Sequence, residues 1–241
     1  MKIGFSTLAL FMKDSDEIIK KAKEHDFDMI EILAEDPFYN KDNSPYLNCG
    51  LDIRMHAATV DINIASLNEG IRKESIRQMI DCGKFAEEIG AKTITVHPGK
   101  IGRNDSRLRR YALEKSVEAV GEIIDKTNVQ ISVENMPVRK SFLANSIDEL
   151  EDIQTQTGCY LTIDTGHANT CDNLEEMLNL KNISYCHLHD NDGKRDQHNP
   201  LGTGTLNLKL LEKIDYGIIE LNNFDNVLKS KEILSSLNLI G

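Results

Sequence analysis

A chain of 241 residues, 40% hydrophobic and 28% charged, has the composition of a globular domain and the length to bury a large core. Its formal net charge of −11 disfavours nonspecific attachment to nucleic acid or anionic membrane, but not an enzyme with a local basic patch or bound cations. No apolar run approaches the ~18 residues of a bilayer span, so no membrane partner is expected.

Met1 to Met12 is apolar, yet it runs into Lys13-Asp14-Ser15-Asp16-Glu17 without a small-residue cleavage site, and reads as a first strand and loop. From there short β-branched runs alternate with helical patterns to the end of the chain. Strands are predicted at 2–7, 28–33, 52–56, 92–97, 130–134, 160–164, 183–188 and 216–221. Helices are predicted at 74–88, where Ile76, Met79, Ile80, Gly83, Phe85 and Ala86 form an apolar stripe, and at 106–126. A third, at 146–155, has Ser146 as N-cap and Glu149 as its capping-box partner. Eight strands alternating with helices, with no linker, repeat or low-complexity stretch, predict one α/β domain over 1–241. The expected form is a single (β/α)8 barrel of parallel strands. Cys49, Cys82, Cys159, Cys171 and Cys186, odd in number and without a CxxC pair, read as reduced thiols of a soluble, cytoplasmic protein.

Barrel strands point alternate residues inward, and the outward ones pack beneath helices and should be apolar. Ile94 and Val96 then turn His97 inward, and Ile131 and Val133 do the same for Glu134. Asp164 is inward beside Leu161 and Ile163, and Ile30 and Ile32 turn Glu31 inward. His56 follows from Ile53 and Met55, His187 from Cys186 and Leu188, and Glu220 from Ile219 and Leu221. All but Glu31 fall near the C-terminal ends of their strands, the face where barrel enzymes place their chemistry. So many ionisable groups on one rim require a compensating cation. Histidine mixed with carboxylate and no inward cysteine suits zinc, manganese or a similar catalytic ion rather than structural zinc.

Two loops extend the ring. Asp164-Thr165-Gly166-His167 carries His167 just past the sixth strand, and Asp196 and His198 follow the seventh at an i, i+2 spacing that lets both face one ion. Pro200-Leu201-Gly202-Thr203-Gly204 makes a tight bend that either approaches a phosphate or only turns the chain. Lys100 and Arg103 after the fourth strand, and Arg195 after the seventh, are candidates for holding an anionic substrate. His189 shares parity with His187 and is a candidate substrate contact. Phe38, Tyr39 and Tyr46 lie in a long loop that either caps the site or is plain surface. His25 is expected to face solvent, and Cys186 to pack outward under a helix.

The motifs Met55-His56-Ala57, Val96-His97-Pro98-Gly99, Val133-Glu134-Asn135, Asp164-Thr165-Gly166-His167-Ala168, His187-Leu188-His189-Asp190, Asp196-Gln197-His198 and Glu220 resemble the xylose-isomerase-like barrel superfamily over nearly the whole chain. That superfamily includes sugar and sugar-phosphate isomerases and epimerases, and also the endonuclease IV group (AP endonuclease family 2). The resemblance implies one to three divalent ions. His56, His97, Glu134, Asp164, His167, His187, Asp196, His198 and Glu220 match the ligands of a three-metal nuclease cluster. Glu134, Asp164, His187 and Glu220 match the central ligands of the isomerases.

The leading expectation is metal-dependent isomerisation or epimerisation of a small sugar or sugar phosphate, with Glu134 and Glu220 exchanging the substrate proton as base and acid. The alternative is a trinuclear zinc phosphodiesterase acting at abasic sites in DNA. Against it, His56-Ala57-Ala58-Thr59-Val60-Asp61 lacks the aromatic that follows the first ligand histidine in endonuclease IV, and basic clusters are few.

Overall fold

The computed structural model describes residues 1–10, 12–35 and 42–241. Eight strands follow one another around a closed parallel barrel: β1 (Lys2–Ser6), β2 (Met29–Leu33), β3 (Asp52–His56), β4 (Thr93–Val96), β5 (Gln130–Glu134), β6 (Tyr160–Asp164), β7 (Ile183–Leu188) and β8 (Tyr216–Ile219). β8 pairs with β1 to complete the ring. Each predicted strand is present, four with the expected bounds and the others a residue or two shorter. β4 stops before His97 because Pro98 follows and has no N–H to donate to a ladder. Glu220 lies just past β8, although its N–H still reaches the Leu188 carbonyl at 3.2 Å.

The helices are α1 (Ser15–Glu24), α2 (Glu69–Glu88), α3 (Ser106–Lys126), α4 (Ile147–Thr157), α5 (Thr165–Cys171), α6 (Leu174–Met177) and α7 (Phe224–Ser236). α2 starts five residues before its expected bound at 74, because Asn68 accepts hydrogen bonds from the Gly70 and Ile71 amides and so caps a polar first turn. Ser146 caps α4 as expected. Glu149 instead accepts from the Ala144 N–H and a two-armed contact from Arg109, so the reciprocal half of the capping box is absent. Between β7 and β8 a long loop and a 3-10 turn, Leu208–Lys213, take the place of an α-helix.

The outward strand residues Ile94, Val96, Ile131, Val133, Leu161, Ile163, Cys186 and Leu188 are all buried beneath the helices, Cys186 among them as its parity required. Inside the barrel, polar residues lie around a small apolar cluster of Met29, Ile218 and the Tyr185 ring. Near the barrel's N-terminal end Arg54 donates to Thr93 Oγ1 at 2.7 Å. Above it run Ser132, Thr162, Thr95 and Tyr185, with Ser132 Oγ and Thr95 Oγ1 each 2.7 Å from Thr162 Oγ1. The register between β6 and β7 slips, with Ile183 opposite Leu161 and Tyr185 opposite Thr162. Ser184 is the extra residue, and its hydroxyl lies 3.2 Å from Thr93 Oγ1 inside the barrel. His25 is half-buried rather than solvent-facing, since the chain turns after α1 and sets its ring edge-on to Phe224 at 5.5 Å.

Candidate metal centre

At the C-terminal mouth, Glu134 ends β5 and presents its two carboxylate oxygens to different neighbours. Oε1 lies 3.0 Å from His187 Nδ1, while Oε2 lies 3.2 Å from His56 Nε2 and 3.0 Å from His97 Nε2. Around Oε1 gather Asp164 from β6, His187 from β7 and Glu220 past β8, with ligand atoms of all four residues within 4.8 Å of one another. Around Oε2, His56 and His97 complete a second group. A third lies on the other side of the mouth, where His167 of α5 and the loop residues Asp196 and His198 converge with His189. His167 Nε2 is 3.2 Å and His198 Nε2 3.3 Å from the Asp196 carboxylate. Every residue expected as a ligand therefore falls within these three adjoining groups, and His56, His187 and Glu220 form a further set that links the central group to the second.

The far nitrogen of four histidines is already engaged. His56 Nδ1 is 2.8 Å from the Ala57 carbonyl, His167 Nδ1 2.8 Å from that of Asn135, and His198 Nδ1 3.1 Å from that of Glu220. His187 Nε2 is 2.9 Å from Glu31 Oε2. A carbonyl or carboxylate accepts the N–H at that end, so the nitrogen facing the shared space is the one that would give up its proton and offer a lone pair to an ion. Metal-binding histidines are oriented in this way. Asp196 Oδ1 is buried and forms no well-directed hydrogen bond, the His198 and His189 Nε2 atoms standing 3.3 and 3.7 Å from it, which leaves it able to take a cation. The donor set fits divalent ions in all three groups.

Electrostatics point the same way. Burial by itself would lower the pKa of His56, but its hydrogen bond to Glu134 and the charges of Glu134, Glu31 and Glu220 push it up to about 9. Burial opposes protonation of His167 and His198 too, yet Asp164 and Asp196 hold both at about 10. Glu134 and Asp196, although desolvated, are kept well below the usual carboxylate range by the imidazoles around them. Protonated histidines thus stand in for cations when no metal balances the carboxylates.

Two supporting contacts have no signature in the sequence pattern. Asn135, next after Glu134, accepts from the Asp164 N–H at 2.7 Å and donates to the Asp164 carbonyl at 3.1 Å, locking the ends of β5 and β6 together. Asp164 in turn caps α5, accepting the His167 N–H at 2.6 Å, so one ligand fixes the start of the helix that carries another. His189, the candidate substrate contact, is fully buried, with Nε2 3.0 Å from Asp164 and its ring stacked on His198 at 4.0 Å, and it stands in the third group beside His167, Asp196 and His198.

Lys100, Arg103 and Arg195 are exposed, and their cationic ends make no hydrogen bond or ion pair with the described residues. Of these, Lys100 is tied to Phe142 by a backbone bridge, which brings the loop after β4 against Arg139 and Lys140. The glycines of the Pro200–Gly204 bend only turn the chain, because the Gly202 and Gly204 amides donate to the buried carboxylate of Asp190. Tyr46, expected in a loop that either caps the site or is plain surface, is buried in the core, while Phe38 and Tyr39 lie outside the described residues.

Residues 19–237 match the family described as xylose isomerase-like TIM barrel. The chain belongs to that family. Among xylose isomerase-like barrels it is 32% identical to an uncharacterised protein of Methanocaldococcus jannaschii, over 97% of this chain and 88% of the other. It is 26% identical to a probable endonuclease 4 of Aquifex aeolicus, over 65% of this chain and 63% of that one. In structure it is similar to a D-tagatose 3-epimerase-like protein, with a TM-score of 0.87 and 32% identity over 98% of this chain and 96% of the other. Endonuclease IV from Thermus thermophilus shares the fold, at a TM-score of 0.78 and 18% identity with both chains fully covered. This is a family of epimerases, isomerases and endonuclease IV enzymes, and this member is read as an enzyme on that basis. Among the described residues no helix is long and apolar enough to cross a membrane.

Proposed function

We propose that this barrel is a metal-dependent phosphodiesterase that incises DNA at abasic sites. One observation carries the reading. Beyond the four ligands that a single central ion needs, the mouth gathers His56, His97, His167, Asp196 and His198 into two further groups. Burying that many ionisable side chains is costly without ions to compensate. Bound there, divalent ions would supply Lewis-acid polarisation of a phosphoryl oxygen, a water acidified to react at neutral pH, and charge for the leaving oxygen.

The chain's own residues do the positioning. Glu134 joins the central and second groups through one carboxylate, and Asp164 joins the central and third through its contacts with His187 and His189. The rim supplies what the −11 net charge withholds. Lys100, Arg103, Arg139 and Lys140 form an exposed basic edge that would neutralise phosphates flanking the target. The loop after His56 lacks an aromatic tip but exposes Val60 by 66%, an apolar side chain able to press on a base step.

The test is incubation of the zinc-loaded protein with a duplex carrying one abasic site. Incision 5′ to the lesion, absent from an intact duplex, supports the proposal. No incision with zinc bound overturns it.

A second reading, sugar isomerisation or epimerisation, is favoured by the central group alone. Glu134 enters it from β5 and Glu220 from just past β8, three strands apart around the ring, so they approach a bound carbon from different directions as a proton donor and acceptor would. Turnover of a ketose or ketose phosphate with one ion bound per chain would establish that chemistry instead.

A further inference from the structure

We infer that Glu31, held by Tyr185, is a positioning residue that makes the central group the tightest of the three metal sites and the first to fill. The inference rests on reading the central group as a metal centre and is independent of whether the substrate is a phosphodiester.

Glu31 is fully buried in mid β2, below the mouth and outside all three ligand groups. Its Oε2 accepts from the Tyr185 hydroxyl at 2.5 Å and lies 2.9 Å from His187 Nε2, while Oε1 has no partner. Tyr185 has one proton, and Glu31, ionised, can only accept. The order of the remaining hydroxyls follows. Thr95, 2.5 Å from the phenol oxygen, must donate to it, Thr162 must donate to Thr95, and Ser132 to Thr162. Four successive donations point at one carboxylate, each strengthening the next. Beneath, the Arg54 guanidinium lies 5.3 Å from the Tyr185 ring and steadies it.

This device sets His187 apart from the other ligand histidines. His56, His167 and His198 give their far N–H to neutral backbone carbonyls, whereas His187 gives its own to a carboxylate. An ionised acceptor makes the stronger hydrogen bond. It also leaves more electron density on Nδ1, which faces Glu134 Oε1 at 3.0 Å, Glu220 Oε2 at 3.6 Å and Asp164 Oδ2 at 3.8 Å. Of these four histidines His187 therefore offers the strongest donor nitrogen to a cation, and it belongs to the central group.

The experiment follows zinc uptake site by site, by anomalous scattering at the zinc edge from crystals equilibrated with limiting zinc. In the unaltered protein the central group should fill before the others. Glu31→Gln keeps an acceptor but removes the charge. It should lower central affinity by about 10- to 100-fold, the usual effect of losing such an outer partner, and leave the third group, which contains neither His187 nor Glu134, unchanged. Central affinity within twofold of the unaltered protein, or equal weakening of all three groups, would overturn the inference. Should Glu31→Gln not fold, Tyr185→Phe decides instead. It removes only the donor to Glu31 and should give a smaller loss at the central group with none at the third; no loss at the central group overturns the inference. Ordered zinc uptake without DNA incision would sink the phosphodiesterase and leave this inference standing. No zinc uptake would sink both.

Discussion

The ring of His189 lies flat against the α-carbon of Gly166, so close that a β-carbon at 166 would overlap its Cε1, Nδ1 and Nε2 atoms. The glycine of the Asp164-Thr165-Gly166-His167 motif is therefore a matter of space, not of backbone freedom, for it sits in the first turn of α5. Gly166→Ala should displace His189 and, through its stack on His198, disorder the third ligand group. Overpacking of this kind costs about 1–3 kcal/mol. Elemental analysis should find one zinc fewer per chain than in the unaltered protein, and full zinc content would show that His189 does not hold that group in place.

His97 is the most accessible ligand, its side chain 31% exposed, and its removal should disturb the fold least. His97→Ala is expected to unfold at nearly the same temperature as the unaltered protein while losing the ion of the second group. Incision at an abasic site should fall by about 100-fold or more, the scale of removing one element of transition-state stabilisation. Single-turnover kinetics at saturating zinc provide the measurement, and activity within a few-fold would exclude the second group from the chemistry.

Metal uptake should release protons. Folding raises His56 from 6.5 to about 9, and His167 and His198 to about 10, so all three are protonated near pH 7.5 in the metal-free protein and must lose that proton to bind an ion. Calorimetric titration with zinc in buffers of different ionisation enthalpy should show heats that vary linearly with that enthalpy, with net release. The sign for stability follows from the raised values. The histidine contribution to the metal-free fold is complete below about pH 6.5 and is lost as pH rises through 9 to 10. Melting temperature of the metal-free protein should fall across that range.

Asp190, fully buried, accepts hydrogen bonds from the amides of Asn191, Gly202, Gly204 and Leu206. Asp190→Ala would strand these donors, at about 1–3 kcal/mol for each one left buried and unpaired. Urea unfolding should show a loss of at least about 3 kcal/mol, together with loss of the zinc held by Asp196 and His198. Loss of stability with full zinc content would mean that the ligands are held by other contacts.

The strands and most of the ligand ring were legible in the sequence because a barrel strand alternates strictly. Ile131 and Val133 outward leave Glu134 no direction but inward, and the same logic reached His56, Asp164 and His187. Parity states a direction, not a partner. It turned Glu31 inward without disclosing its contact with His187, which lies 156 residues away. Tyr185 shares the parity of His187, but the bulge at Ser184 breaks the alternation just before it. The clasp at Asp190 was illegible for a different reason, since backbone amides meeting a carboxylate leave no mark in residue type beyond two glycines that any turn would use. His25 and Tyr46 were misjudged because turns, unlike strands and helices, carry no period from which burial can be read.

The divided allegiance of Glu134 has a thermodynamic consequence. One carboxylate serves two ligand groups, so the free energy of filling one depends on whether the other is filled. Linkage makes the dependence reciprocal: whatever factor the first ion applies to the affinity of the second, the second applies to the first. Zinc binding at the central and second groups is then a single coupled equilibrium. The fraction of fully assembled sites would track metal supply along one joint isotherm, with Glu134 as its point of coupling.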